Sequence, residues 1–184
     1  MILYTYGMET SFFHFSEKDK QQPNRVFSTG MLSLLVSTVL FTGGLMLFSG
    51  TISEWIRYED HSEYIVIMAL ILGFDALTAL PFARLRQQLR ARRFAGLKIA
   101  NILINIFFNL FFFVILPVWY RNETSAFHGL AHLIYDPGTG VGYVFIANLI
   151  ASVATRLLML RDFRFSRREF DPALMKNMLI YALP

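Results

Sequence analysis

The chain has 184 residues, 55% hydrophobic and only 16% charged, with 19 Phe and a mean hydropathy of +0.46. A soluble domain carries about 25% charged residues, so this composition argues against a soluble enzyme core and for a membrane protein. Cys is absent, which removes disulfides, Cys-ligated zinc, iron–sulfur clusters and thiol chemistry. The net charge of +4 invites a nucleic-acid reading, yet basic residues beside membrane spans report topology, and no nucleic-acid partner is expected.

In chain order, residues 1–15 are apolar but too few for a span. They lack the basic leader and cleavage site of a signal peptide, so they read as the end of one helix. Complete spans are expected at about residues 26–50, 64–82, 97–119 and 141–160, each close to the ~20 residues that cross a ~30 Å hydrocarbon core. Lipid offers backbone groups no partner, so the spans are helices. A β-barrel needs alternating segments of about ten residues, and ILINIFFNLFFFVIL does not alternate. Residues 173–184 start a further helix behind Asp171 and Pro172, a favourable N-cap and first-turn pair. The expectation is an all-α polytopic transmembrane helix bundle, a single transmembrane domain over residues 1–184, entered and left in mid-helix like an internal piece of a longer protein.

Charge placement sets the expected orientation. Lys18, Lys20 and Arg25 precede the first complete span; Arg84, Arg86, Arg90, Arg92 and Arg93 lie between the second and third, with Lys98 at the entry of the third; Arg156 is near the inner end of the fourth, and Arg161, Arg164, Arg167, Arg168 and Lys176 follow it. The other two connections hold only Arg57 and Arg121. Under the positive-inside rule the basic loops are expected to be cytoplasmic in a multi-pass membrane protein. Outside, Glu54, Glu59, Asp60 and Glu63 surround Trp55, Tyr58 and Tyr64, an acidic edge with an aromatic belt, and Trp119 and Tyr120 repeat the belt. Phe127, Leu130, Leu133 and Ile134 predict a short surface helix, which Asp136-Pro137-Gly138 ends in a turn.

Polar residues inside the spans are the candidate functional groups. Asn101, Asn105 and Asn109 recur every four residues and share one helix face, suited to a water-filled pathway or to interhelical hydrogen bonds. Asn148, Ser152 and Arg156 repeat the spacing on the fourth span, where Arg156 either snorkels to headgroups or faces a cavity that receives an anion. Asp75 is the deepest acid of the complete spans and Glu9 its counterpart on the first helix. Each is a candidate ion-coupling group, with Arg84 or Arg86 as the alternative structural partner of Asp75. Gly30, Ser33, Ser37, Gly43 and Gly44 allow close helix approach.

Arg84, Arg86 and Arg90 head a basic stretch suited to topology anchoring and to membrane lipid headgroups, at about 1 kcal/mol per cation. His128 and His132 lack a third ligand, so no metal is expected, and Asn122-Glu123-Thr124 is a sequon of the kind that arises by chance. No catalytic constellation, cofactor fingerprint or phosphate loop is visible.

Four segments carry a family resemblance: YGMETSFFHFSEK from Tyr6 to Lys18, LGFDALTALPFARLRQQLRARRF from Leu72 to Phe94, NILINIFFNLFFFVILP from Asn101 to Pro117, and FDPALMKNMLIYALP at the end. Their order and spacing resemble the O-antigen flippase type of polysaccharide exporters, in the multidrug/oligosaccharidyl-lipid/polysaccharide exporter superfamily. The resemblance implies a two-lobe exporter fold of about twelve to fourteen helices, of which this chain is the later part of the first lobe. It implies transport of an undecaprenyl-pyrophosphate-linked oligosaccharide across the cell inner membrane, from the cytoplasmic to the periplasmic leaflet, with H⁺ or Na⁺ as a possible coupling ion. Glu9, Asp75, Arg84, Arg86 and Arg156 match polar positions of the family pattern. Against that pattern this chain lacks a first helix and a second lobe, so transport by this chain alone is not expected. Alternative expectations are a membrane-embedded polysaccharide polymerase or transferase, a drug exporter of the same superfamily, and a purely structural subunit.

Overall fold

A computed structural model describes residues 2–19, 22–57, 61–122, 127–163 and 165–182. Tyr58, Glu59 and Asp60 of the expected outer belt, Glu123 and Thr124 of the sequon, and Lys20 and Arg164 of the basic loops lie outside the described residues.

Among the described residues all regular structure is helical. The expected single helix end over residues 1–15 is instead two helices, α1 (Ile2–Thr5) and α2 (Met8–Lys18), separated by Tyr6 and Gly7 at φ 34° and 76°. Gly7 is required there twice over: its backbone is left-handed, and a Cβ would lie 2.6 Å from the Ala182 carbonyl oxygen.

Helix α3 (Pro23–Leu47) opens with proline in its first turn, where the missing N–H costs nothing. After Phe48 the chain resumes as α4 (Ser49–Trp55), so the expected span at residues 26–50 begins earlier and is interrupted before its end. Helix α5 (Ser62–Gln87) runs past the expected end at residue 82 with the buried Pro81 inside it. The proline ring removes one backbone bond, a loss that membrane helices absorb when neighbours pack around the site.

The basic stretch expected to connect two spans is mostly helix: the turn is only Gln88 to Arg90, with Leu89 at φ 55°, and α6 (Ala91–Leu110) already contains Arg92, Arg93 and Lys98. From α6 the chain passes through a π turn (Phe111–Ile115) into α7 (Leu116–Arg121). Pro117 explains the π turn: it has no N–H to offer Phe113 four residues back, and a widened turn relieves the clash of its ring with that carbonyl.

The short helix expected near residue 127 is present as α8 (His128–Ile134). A 3₁₀ turn (Pro137–Thr139) follows, in which the Asp136 carboxylate accepts from the Gly138 N–H at 2.9 Å. Helix α9 (Gly142–Leu158) and α10 (Pro172–Ala182) complete the chain, with a second 3₁₀ turn (Arg167–Glu169) between them. As the sequence implies, Asp171 caps α10, accepting from the N–H groups of Ala173 and Leu174 at 2.8 and 3.2 Å.

Three stretches are long and apolar enough to cross a membrane: Pro23–Leu47, Ser62–Gln87 and the continuous Ala91–Arg121. The chain is on this ground a membrane protein. The fourth expected span is shorter than foreseen, because α9 holds 17 residues and reaches about 25 Å at 1.5 Å per residue. Its apolar run ends in turns at Met159 to Phe163.

Helix α3 packs on α5, α5 on α9, and α9 on α6, while α2 and α10 close over the first half of α3. Met8, Phe12, Val26, Phe27, Met31, Leu34, Leu80, Ala83 and Met178 form the main core there. A second cluster, Phe112, Leu116, Ala131, Tyr143 and Ala147, closes the other end of the α6–α9 pair. Gly30 and Gly73 permit the tight contacts of α3: a Cβ on Gly73 would stand 2.7 Å from Thr42 Oγ1, and one on Gly30 would stand 3.2 Å from Met178 Cε. On Gly43 or Gly44, expected to serve the same purpose, a Cβ would meet no atom of another element within 4 Å among the described residues.

Candidate functional site

Of the polar residues foreseen on the third and fourth spans, Asn101, Asn105 and Asn148 make hydrogen bonds across the α6–α9 contact. Asn101 Nδ2 donates to Thr155 Oγ1 at 2.8 Å and to the Ala151 carbonyl at 3.2 Å. One turn on, Asn105 Nδ2 donates to Asn148 Oδ1, and a turn further Asn109 Nδ2 donates back to the Asn105 carbonyl and Oδ1 at 2.8 and 2.9 Å. The four-residue spacing on both helices makes this ladder possible, since every rung lies on the same face. The ladder joins helices that otherwise turn apolar side chains outward, with Ile99, Ile102, Leu103, Ile106 and Phe107 all exposed.

Asp75 extends this polar seam onto α5. Its Oδ1 accepts from Ser152 Oγ at 2.8 Å, and Thr78 Oγ1 bonds its backbone carbonyl at 2.7 Å. Ser152 is buried, and it lies between the levels of Asn148 and Thr155 on α9. The arginines considered as partners of Asp75 are placed elsewhere. Arg84 Nη2 donates to Asn24 Oδ1 at 2.7 Å, and Arg86 Nη2 pairs with Glu9 Oε2 at 2.6 Å. Glu9 is thereby part of a tie between α2 and α5, and the carboxylate within the polar seam is Asp75. Among the described residues no salt bridge reaches Asp75.

Arg156 sits one helical turn beyond Ser152 with its guanidinium carbon 4.4 Å above the Phe163 ring. Its Nη1 is buried and has no hydrogen-bond partner among the described residues. A guanidinium N–H left unbonded in an apolar setting costs free energy, so this corner favours an acceptor.

The basic residues converge on one end of the bundle. Arg93 takes both oxygens of Asp162, with Nη2–Oδ2 at 2.7 Å and Nε–Oδ1 at 3.2 Å, and Arg90 Nη1 stands 3.7 Å from the same carboxylate. Arg25 pairs with Asp171, which together with the α10 backbone N–H groups holds that carboxyl below its usual range. Ser28 Oγ donates to Glu169 and accepts from the Ser166 N–H, fastening the same end further. At the opposite end Tyr64 Oη donates to the Thr139 carbonyl at 2.8 Å, and Trp119 stacks on Phe127 at 4.6 Å. His128 there contacts the Trp119 carbonyl at 3.3 Å and His132 packs on Tyr120.

Two contacts of this site escape a reading of the sequence. Asp162, only 9% exposed in its side chain, stands among arginines in RDFRFSRR, and its partner Arg93 is 69 residues away with no local pattern to announce it. Ser152 as the partner of Asp75 is equally non-local, although its four-residue spacing from Asn148 had marked the correct face of α9. Compared with known protein families, with curated proteins and with solved structures, the chain matches none.

Proposed function

We propose that the chain forms part of a lipid-linked oligosaccharide flippase, in the later half of the first lobe of a two-lobe exporter. The observation that carries this reading is Asp75, a carboxylate in the middle of an apolar span that faces a serine and is joined to no cation by a salt bridge among the described residues. A membrane carboxylate in such a setting suits the uptake and release of H⁺ or Na⁺ better than it suits packing. The Asn101, Asn105, Asn109, Asn148 and Ser152 seam gives that carboxylate a polar track between helices. The unpaired Nη1 of Arg156 provides a cation for the pyrophosphate of an undecaprenyl-linked sugar.

In this reading the basic end is cytoplasmic and the membrane is the bacterial inner membrane, with Arg84, Arg86 and Arg90 at the headgroup level. Motion of the lobe about the seam alternates access to the two leaflets, and no covalent chemistry is performed. The family resemblance of the four segments supports the sugar cargo. A polymerase or drug exporter has no specific observation in its favour.

The test uses the complete reading frame that carries the chain, in proteoliposomes with a fluorescent undecaprenyl-pyrophosphate oligosaccharide. Asp75→Asn is expected to abolish ion-driven arrival of the label in the far leaflet while insertion and abundance stay normal. Unchanged transport with Asp75→Asn returns this residue to packing, and absence of any transport by the unaltered protein overturns the flippase reading.

A further inference from the structure

At the basic end, a pocket of about 160 Å³ opens between the last turn of α5, the α5–α6 turn and the turn after α9. Its polar walls are Arg84, Gln88, Arg90, Arg161 and Asp162. Such a volume is well above the ~15 Å³ that admits one water, so it has room for a compact polyatomic ion.

The charges around this pocket are unequal. Arg84, Arg90, Arg93 and Arg161 surround the single carboxylate of Asp162. That carboxylate is engaged by Arg93 on both oxygens and faces Arg90 at 3.7 Å. Glu169, whose charge also reaches Arg84, is bonded to Ser28 Oγ at 3.1 Å. Arg84 is half-buried and is held in position by Asn24 and by the face of Phe27, 4.3 Å from its guanidinium carbon. Arg161 is exposed and has no ion pair or hydrogen bond among the described residues. The walls therefore keep a positive excess, part of it on a side chain whose conformation is already fixed.

We propose that this pocket binds one phosphate group between Arg84, Arg90 and Arg161, with Gln88 as a neutral donor. Guanidinium forks match phosphate oxygens, and a group with several acceptor oxygens satisfies forks that arrive from separate segments. The bidentate Arg93–Asp162 pair acts as the scaffold: it ties α6 to the turn after α9 and so sets the width of the pocket. Binding to this pocket is saturable and of one-to-one stoichiometry, unlike the diffuse attraction of a basic surface. Arg86, turned toward Glu9, takes no part. The phosphate belongs either to an anionic lipid headgroup or to a free phosphate ion. The proposal needs no part of the flippase reading, because a chain that moves nothing can still hold phosphate here.

The test takes the full chain in neutral detergent and in phosphatidylcholine nanodiscs. Native mass spectrometry counts retained phosphatidylglycerol, and ³¹P NMR line broadening follows binding of inorganic phosphate. One bound phosphatidylglycerol or one saturable phosphate per chain is expected. Arg161→Gln is expected to weaken binding at least ten-fold, whereas Arg121→Gln and Arg168→Gln leave it unchanged. Arg161 is exposed, so its loss leaves folding intact even if Arg84→Gln misfolds. Retention of the lipid alone identifies a headgroup site, and saturation by inorganic phosphate identifies a free-ion site. Equal weakening by Arg161→Gln and Arg168→Gln, or no saturable binding of either species, overturns the proposal.

Discussion

Helices α3 and α6 are both long and apolar, yet they are held in different ways. The first half of α3 is enclosed by α2, α5 and α10, with Val26, Phe27, Met31 and Leu34 fully buried and Gly30 admitting its neighbours. Helix α6 makes its main contact with α9 and leaves most of its circumference exposed, and what it presents to α9 is a row of asparagines. Apolar burial cannot drive association between helices that already sit among lipid tails. A helix with several neighbours is therefore held by close fit, and a helix with one principal neighbour by hydrogen bonds that also select partner and register.

The largest effect that would break this contrast lies on the side of close fit. Gly73→Leu drives a side chain into Thr42 on α3 and is expected to destabilise the chain by about 3 kcal/mol, measured by equilibrium unfolding in mixed micelles. Gly43→Leu, which meets open space, serves as its neutral control. Next comes Asp162→Ala, which strips Arg93 of a bidentate partner and is expected to cost about 2 kcal/mol by the same measurement. A value near zero would mean that the end of α9 is held by its apolar contacts alone.

Smaller again is the coupling between Asn105 and Asn148. A double-mutant cycle with Asn105→Ala and Asn148→Ala is expected to give about 0.6 kcal/mol, the usual size of such bonds in membranes. Additive single effects would remove the ladder from the account of why α6 meets α9. The mildest is local to α10. The Asp171 carboxyl is held below its usual range by Arg25 and by the helix N–H groups, so its support is present above about pH 4 and is lost as pH falls toward the depressed native value. Protection of the first-turn amides of α10, taken relative to intrinsic exchange at each pH, is expected to fall under acid. Asp171→Asn is expected to flatten that dependence, because an amide still caps the helix but does not titrate.

The helices of the membrane core were legible because long apolar runs leave few alternatives, and the four-residue spacing of Asn101, Asn105 and Asn109 revealed their shared face. Boundaries were less legible. Pro81 marks a helix end by local rules, but the buried surroundings of α5 carry the helix on to Gln87. The turn at Leu89 contains neither glycine nor proline, so nothing in QQLRARR separates connection from helix. At the site, periodicity identified which residues share a face and was silent on what lies opposite. Arg86, about three turns from Asp75 along α5, was an alternative partner for it, yet Arg86 lies toward Glu9, and only the packing of α9 brings Ser152 to Asp75.

The π turn at Phe111–Ile115 gives the long helix two phases. Each residue of an α-helix turns the chain by about 100°, so the extra residue taken up by a π turn shifts everything after it by about that angle. The asparagines that grip α9 lie before the shift, and Trp119 and Tyr120, which meet Phe127, His132 and Tyr135, lie after it. One unbroken rod thus addresses two neighbours that a uniform helix would present at a different angle. The number of residues between Asn109 and Trp119 is consequently a structural quantity in its own right: a deletion in that interval would leave both recognition surfaces chemically intact and aim them wrongly.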